Sequence, residues 1–362
     1  MGGMAIAFFG SSLLSSYWNG AATYYRGLVR ALHARGHRVT FYEPDVLDRQ
    51  AHRDLEPPDW ARVVVYGEDG VCAALASASS ADVIVKASGI GAFDALLERE
   101  VPALRSAGRA VVFWDVDAPA TLDRLQADPG DPLREHVPRY DAVLTYGGGP
   151  PVVEAYRSLG ARGCEPVYNA LDPDTHHPAP PDPHFAARLG LLANRLPDRE
   201  ARVRAFFFAA AQALPDAPFV LGGSGWNGDA CTPNVRCVGH VSTRDHNAFN
   251  CSAEVVLNVN RESMARIGHS PPTRIFEAAG AGACILCDAW PGLEAFLEPD
   301  REVLVADGGA AVAEHLRRLD PARARAIGAA ALARVRAQHT YRHRAEQVEA
   351  ILEGRRRTAT GW

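Results

Sequence analysis

Asn169-Ala-Leu-Asp-Pro-Asp-Thr-His-His-Pro-Ala-Pro-Pro-Asp-Pro183 decides how this 362-residue chain is divided. Its prolines lock φ and remove amide donors, so neither a helix interior nor a central strand runs through it. A proline- and aspartate-rich stretch of this kind reads as a linker. His176 and His177 are adjacent on extended chain and cannot both face one metal, so they read as polar linker residues.

On each side of the linker, short apolar runs alternate with helical patterns. Before it, strands are predicted at Met4–Phe9, Val39–Tyr42, Arg62–Tyr66, Val83–Lys86, Ala110–Trp114, Ala142–Tyr146 and Glu165–Tyr168. A helix over Asn19–Arg35 places Tyr25, Leu28, Val29 and Leu32 on one face and stops at Gly36. Further helices are expected near 70–79, 92–99, 118–126 and 150–159. After the linker, strands are predicted at Arg188–Leu192, Phe219–Leu221, Val235–Val238, Glu254–Val259, Ala283–Cys287 and Glu302–Val305. Helices fall at 198–213, 243–251, 272–281, 291–296, 309–318, 321–337 and 341–354. Strands with little polar alternation, separated by helices, indicate parallel sheets covered on both faces. The chain is therefore α/β, with two doubly wound Rossmann-like domains, 1–169 and 170–338, followed by 339–362. Ligands of such sheets sit at the carboxyl ends of the strands, so two facing halves would make a cleft.

Composition narrows the function classes. The chain is 47% hydrophobic and 22% charged, which excludes disordered, collagenous and coiled-coil chains. A formal charge of −5 gives no global electrostatic case for nucleic acid or an anionic membrane. Met4–Phe9 is too short for a transmembrane segment or a leader core. Seven scattered cysteines, an odd number, read as reduced thiols of a cytoplasmic protein. Cys284-x-x-Cys287 lies in the apolar run Ala283-Cys-Ile-Leu-Cys287 and reads as buried strand, with no second pair to complete a zinc site.

The most informative chemistry lies between Asn258 and Glu294. Ser270 is a natural N-cap, and Pro271–Pro272 suit a first helical turn. Amides at Thr273 and Arg274, together with the helix dipole, suit a diphosphate. Glu277, one turn deeper, tilts back toward that end and can accept hydrogen bonds from a hydroxylated ligand. The same residues also fit an ordinary capped helix with a polar rim. Asn260 and Arg261 end another strand and can reach the same pocket. Gly222-Gly-Ser-Gly225, including Gly223 and Ser224, ends a strand where backbone can approach a nucleotide. In the first half, Gly10-Ser-Ser12 lacks the G-x-G-x-x-G spacing of a dinucleotide site. The loop bearing Ser11, Ser12, Tyr17, Trp18 and Asn19 looks like a wall for a sugar or polyol. Asp115 and Asp117 are candidates to orient or deprotonate an acceptor hydroxyl, with Asp117 equally an N-cap. Lys86 and Tyr146-Gly-Gly-Gly-Pro150 read as scaffold, and Arg355–Arg357 as a solvated tail.

The order of these segments resembles GT-B glycosyltransferases carrying an E-x7-E signature, most closely the CgeB-like (spore maturation protein) family. Phe8-Phe-Gly-Ser-Ser12, Phe113-Trp-Asp-Val-Asp-Ala-Pro119, Tyr168-Asn-Ala-Leu-Asp172, Asn194-Arg-Leu-Pro-Asp-Arg199 and Leu221-Gly-Gly-Ser-Gly-Trp226 carry the likeness with the segment above. The resemblance implies that Glu277 binds the donor ribose. It places His269 where the signature has its first Glu, giving His-x7-Glu, and it sets Asn194, Arg195 and Arg199 against the donor diphosphate. Arg195 and His269 would then act in the transition state, where charge grows on the departing phosphate. The implied reaction moves a sugar from a UDP- or GDP-type donor to a hydroxyl or amine of a small-molecule or glycan acceptor. It would be retaining and independent of metal or other cofactors, with the acceptor in the first domain and residues 339–362 crossing back to it. A nucleotide-sugar 2-epimerase of the same fold, or a non-catalytic nucleotide-sugar-binding protein, are the alternatives.

Overall fold

The computed structural model describes residues 3–17, 19–226 and 232–359, the last three as backbone only. The described residues form two compact units, one drawn from Met1–Tyr168 with Tyr341–Trp362 and the other from Asn169–Thr340.

The first unit is built on seven parallel strands: β1 (Ala5–Phe9), β2 (Arg38–Pro44), β3 (Arg62–Tyr66), β4 (Val83–Ala87), β5 (Ala110–Asp115), β6 (Ala142–Thr145) and β7 (Cys164–Pro166). They lie in the order β3-β2-β1-β4-β5-β6-β7. β4 and β5 are buried along their whole length, as near-continuous apolar runs require. Phe8 pairs in register with Phe41 and Val85, and its ring stacks on Phe41 at 5.2 Å. The helix Ala22–Ala34 buries Tyr24, Tyr25, Leu28, Val29 and Leu32 and ends before Gly36, whose φ of +90° suits a glycine. Gly27 lets the final helix, Tyr341–Ala359, come close: a Cβ there would lie 2.2 Å from Tyr341 Cδ2.

The second unit carries β8 (Ala187–Leu192), β9 (Phe219–Gly222), β10 (Val235–Gly239), β11 (Ala253–Asn258), β12 (Ile285–Asp288) and β13 (Leu304–Ala306). Their order is β10-β9-β8-β11-β12-β13, again parallel. Leu189, Phe207, Phe219, Val255, Leu257 and Leu286 centre its core. In each sheet the strand order reverses beside the first strand, between β1 and β4 and between β8 and β11. A ligand crevice opens at such a reversal.

Several elements differ from expectation. The helix expected over 198–213 runs from Pro197 to Ala213 with a π-type turn at Arg204–Phe208. Only a short turn, Leu293–Ala295, stands where a helix was expected at 291–296, and Glu262–Ile267 is an added helix. Arg355 and Arg356 are not a solvated tail: the last helix continues through them, and they pair with Glu165 at 2.5 Å and Asp82 at 2.8 Å. Cys72, Cys164, Cys251, Cys284 and Cys287 are free thiols, but Cys237 is disulfide-bonded, which corrects the reading of every cysteine as reduced. Cys284 and Cys287 are buried and their thiols are pushed up by burial, Cys284 to about 12, so neither is a ready nucleophile. Among the described residues no helix is long and apolar enough to cross a membrane.

Candidate functional site

In the second unit, backbone contacts lock the loop after β8 to the loop after β9. Ala193 N–H donates to Gly222 O and Arg195 N–H to Ser224 O, both at 2.9 Å. Ser224 N–H in turn donates to Asn194 Oδ1 at 3.0 Å. Gly223 sits at φ +129°, and a Cβ on it would lie 2.1 Å from Ala193 O, so no other residue fits. Asn194, Arg195, Gly223 and Ser224 are thus brought together. Arg195 lies over the Trp226 ring and forms a two-pronged ion pair with Glu200 at 2.7 and 2.8 Å.

One turn into the Pro197 helix, Arg199 is different. Its Nε is buried without a hydrogen-bond partner. Burial, followed by the nearby Arg274 and Arg261 charges, pushes its guanidinium down to about 10, so it remains a cation at neutral pH. Across the reversal from β8, Asn260 follows β11 and is fully buried, with both side-chain amide atoms unpartnered. Its backbone N–H donates to Asp288 Oδ1 at 3.1 Å. Arg261 donates to Asp198 at 3.0 Å, tying the loops after β8 and β11 together. Unpartnered polar atoms and clustered positive charge at the carboxyl ends of β8 and β11 have the chemistry to receive a polar anion.

The helix Thr273–Gly280 closes this site. Ser270 is not its N-cap: Pro272 holds that position, and Ser270 Oγ donates back to Gly268 O at 3.0 Å. A residue before proline is driven out of the helical region, so Ser270 and Pro271 stay extended and the helix starts only after the second proline. Glu277 is 6% exposed. Its Oε2 accepts from Arg274 Nη1 at 2.6 Å and lies 3.6 Å from His246 Nδ1, while Oε1 lies 3.9 Å from His176 Nε2. Burial would raise this carboxyl, but Arg274, His176 and His246 hold it at about 2. Arg274 Nη1 also contacts the His246 ring, 2.9 Å from Nδ1. His176, His246 and Glu277 are three residues that could hold a metal ion, yet the Arg274 guanidinium already supplies the counter-charge.

The linker reading of His176 needs correction, since this side chain is 2% exposed and faces Glu277. Asn247 clamps its segment, donating to Thr175 O at 2.9 Å and accepting from His177 N–H at 3.2 Å. Neither His176 nor His246 was legible as part of the site, because their contacts join residues 28 or more apart. His269 adopts φ +46°, donates its N–H to Pro291 O at 2.6 Å, and packs its ring on Gly292. That ring makes no hydrogen bond among the described residues.

In the first unit, the proposed acceptor wall is largely spent on its own loop. Ser11, Ser12 and Asn19 are buried. Ser11 Oγ donates to Asn19 Oδ1 at 2.8 Å, Asn19 Nδ2 to Ser12 O at 2.7 Å, and Ser12 Oγ to the buried Glu43 at 3.1 Å. Tyr17 alone of the described group is exposed, stacked on His52 at 4.0 Å; Trp18 lies outside the described residues. Asp115 is fully buried and accepts from Ser88 at 2.7 Å, Thr121 at 3.0 Å, the Asp117 amide at 3.1 Å and Tyr156. Burial raises its pKa. It organises the strand end and does not face a substrate. Asp117 stands at the N-cap of Ala118–Ala127 without capping through its side chain, and is half-buried. Lys86 is buried between Asp94 at 2.7 Å and Glu98 at 3.1 Å, a scaffold role as expected.

Residues 199–350 match the family described as glycosyl transferase-like. No curated protein matches the chain in sequence. Among solved structures, sucrose-phosphate synthase from Thermosynechococcus elongatus aligns over 97% of this chain and 98% of its own, with TM-score 0.66 and 16% identity. HepE from Anabaena, solved with UDP and glucose, aligns over 97% and 100% with TM-score 0.65 and 14% identity. The α,α-trehalose 6-phosphate synthase from Burkholderia multivorans aligns over 99% and 100% with TM-score 0.63 and 12% identity. The chain has the GT-B fold, and its residues 199–350 are similar to the glycosyl transferase-like family.

Proposed function

We propose that this chain transfers a glycosyl group from a nucleoside-diphosphate sugar to a hydroxyl or amine of a small-molecule or glycan acceptor. The observation that carries the reading is Arg199, a half-buried cation with a buried, unpartnered Nε beside Arg261 and Arg274. A diphosphate answers that charge, and the amino end of the helix Thr273–Gly280 adds its dipole. Glu277, one turn deeper, takes the ribose hydroxyls, and Asn260 offers a donor and an acceptor to the same ligand. As the glycosidic bond breaks, negative charge grows on the leaving phosphate, and Arg199 stabilises it without reorganising. With guanidinium groups in that role, we propose transfer without a metal. UDP is the nucleotide to try first, since HepE was solved with UDP and glucose.

Arg195 is shared with Glu200 and takes a secondary part. The acceptor falls to the first unit, where Asp117 is the base we assign and Tyr17 the one exposed aromatic of the described wall. Retention of anomeric configuration and membership of the CgeB-like branch rest on the sequence resemblance. The test is calorimetric titration of UDP into the wild type and Arg199→Met, followed by product analysis with UDP-sugars and candidate acceptors. Binding lost in Arg199→Met supports the reading, and no binding of UDP, GDP or other nucleoside diphosphates ends it. Consumption of donor with no acceptor present would point to a 2-epimerase instead.

A further inference from the structure

Beside Glu277, two buried imidazoles have no part in the proposed chemistry. His246 opens the helix His246–Ser252 and is 5% exposed. Its ring receives Arg274 Nη1, the same nitrogen that binds Glu277 Oε2 at 2.6 Å. His176 lies nearly parallel to that ring, 5.9 Å away between centroids, with Nε2 buried and unpartnered. Gly280 makes the approach possible: a Cβ there would lie 3.0 Å from His176 O and 2.3 Å from Leu171 Cδ1.

The consequence concerns the two carboxylate oxygens of Glu277. Oε2 is taken by Arg274, and among the described residues Oε1 accepts no hydrogen bond. Arg274 carries a side chain 39% exposed, so in water it would swing freely. The His246 ring fixes it from one side and Glu277 from the other. One oxygen is thereby pinned and the other left as a directed acceptor. We propose that His246 is a positioning residue which, through Arg274, pins Glu277 Oε2 and so leaves Oε1 to accept from the ribose hydroxyls of a nucleotide. This rests on the nucleotide reading above and adds the element that orients its ribose contact.

The test is a comparison of two ligands, UDP and 2′,3′-dideoxy-UDP, titrated calorimetrically into the full chain. Wild type should prefer UDP by about tenfold or more, the worth of one or two hydrogen bonds to a charged group. His246→Leu, which keeps the volume and removes the ring nitrogens, should lose most of that preference while binding the dideoxy ligand within about twofold of wild type. His246→Gln, which restores an acceptor for Arg274, should regain part of it. If His246→Leu does not fold, His246→Met, which also lacks the ring nitrogens, carries the same expectation. An equal loss for both ligands, or no loss for either, overturns the positioning role. Failure of wild type to bind either ligand removes the nucleotide reading itself, and this inference with it.

Discussion

Arg199 is a half-buried cation whose Nε is shut off from water and unpartnered. Such a group costs stability in the empty protein and repays it only when an anion arrives. Arg199→Met is therefore expected to stabilise the free chain by about 1 kcal/mol or more and to weaken UDP binding at least about tenfold. Thermal denaturation with and without UDP reads both effects, and a destabilised variant with intact binding contradicts the assignment. His246 supplies a pH test. Burial, then the Arg274 charge, lowers its imidazole to about 4, with Glu277 opposing. The unfolded chain takes up that proton near pH 6.5, so stability should fall as pH drops from about 6.5 to about 4. Glu277, held at about 2, adds a further loss between about pH 4.3 and 2. Melting temperatures across this range should show both losses, and His246→Leu should shrink the upper one, to which the buried His176 also contributes.

At the scale of elements, the Pro271–Pro272 pair sets where the helix Thr273–Gly280 begins. Replacing both prolines with alanine should let the helix start earlier and carry its amino end away from the Arg199 cluster. Far-ultraviolet circular dichroism should gain helix while UDP affinity falls, and unchanged affinity would detach the helix end from binding. Gly280→Val should destabilise by about 1–3 kcal/mol in urea unfolding, because Leu171 and His176 leave no room for a side chain. These elements also show what the sequence reveals and what it hides. The strands were legible because two-sided burial leaves almost unbroken apolar runs, as in Val83–Ala87 and Ala110–Asp115. Arg199, Asn260 and Glu277 were legible as strand-end and helix-start residues. Ser270 was misplaced because a good capping residue loses to two prolines that follow it. His176 was missed because it looks like any polar residue between prolines, and only the Asn247 clamp buries it. Asp115, Ser11, Ser12 and Asn19 have site-like chemistry, but their polar atoms are consumed inside the first unit.

At the scale of the whole molecule, each unit contains its own sheet and core, and every strand pairs within its unit. The fragment Asn169–Thr340 is accordingly expected to fold alone, unfold in one cooperative step and keep UDP binding, since the residues assigned to the donor all lie inside it. A fragment that folds but does not bind would show that the first unit contributes to the donor site. The final helix belongs to the other unit, so removing Tyr341–Trp362 should destabilise that unit through the loss of the Tyr341 contact on Gly27 and the Arg355 and Arg356 ion pairs.

A crystal structure of the chain with UDP tests the central claim most directly. The account predicts the diphosphate against Arg199 and the amino end of the helix at Thr273, with the ribose hydroxyls on Glu277 Oε1. A nucleotide bound elsewhere, or one whose phosphates leave Arg199 unpartnered, would contradict it.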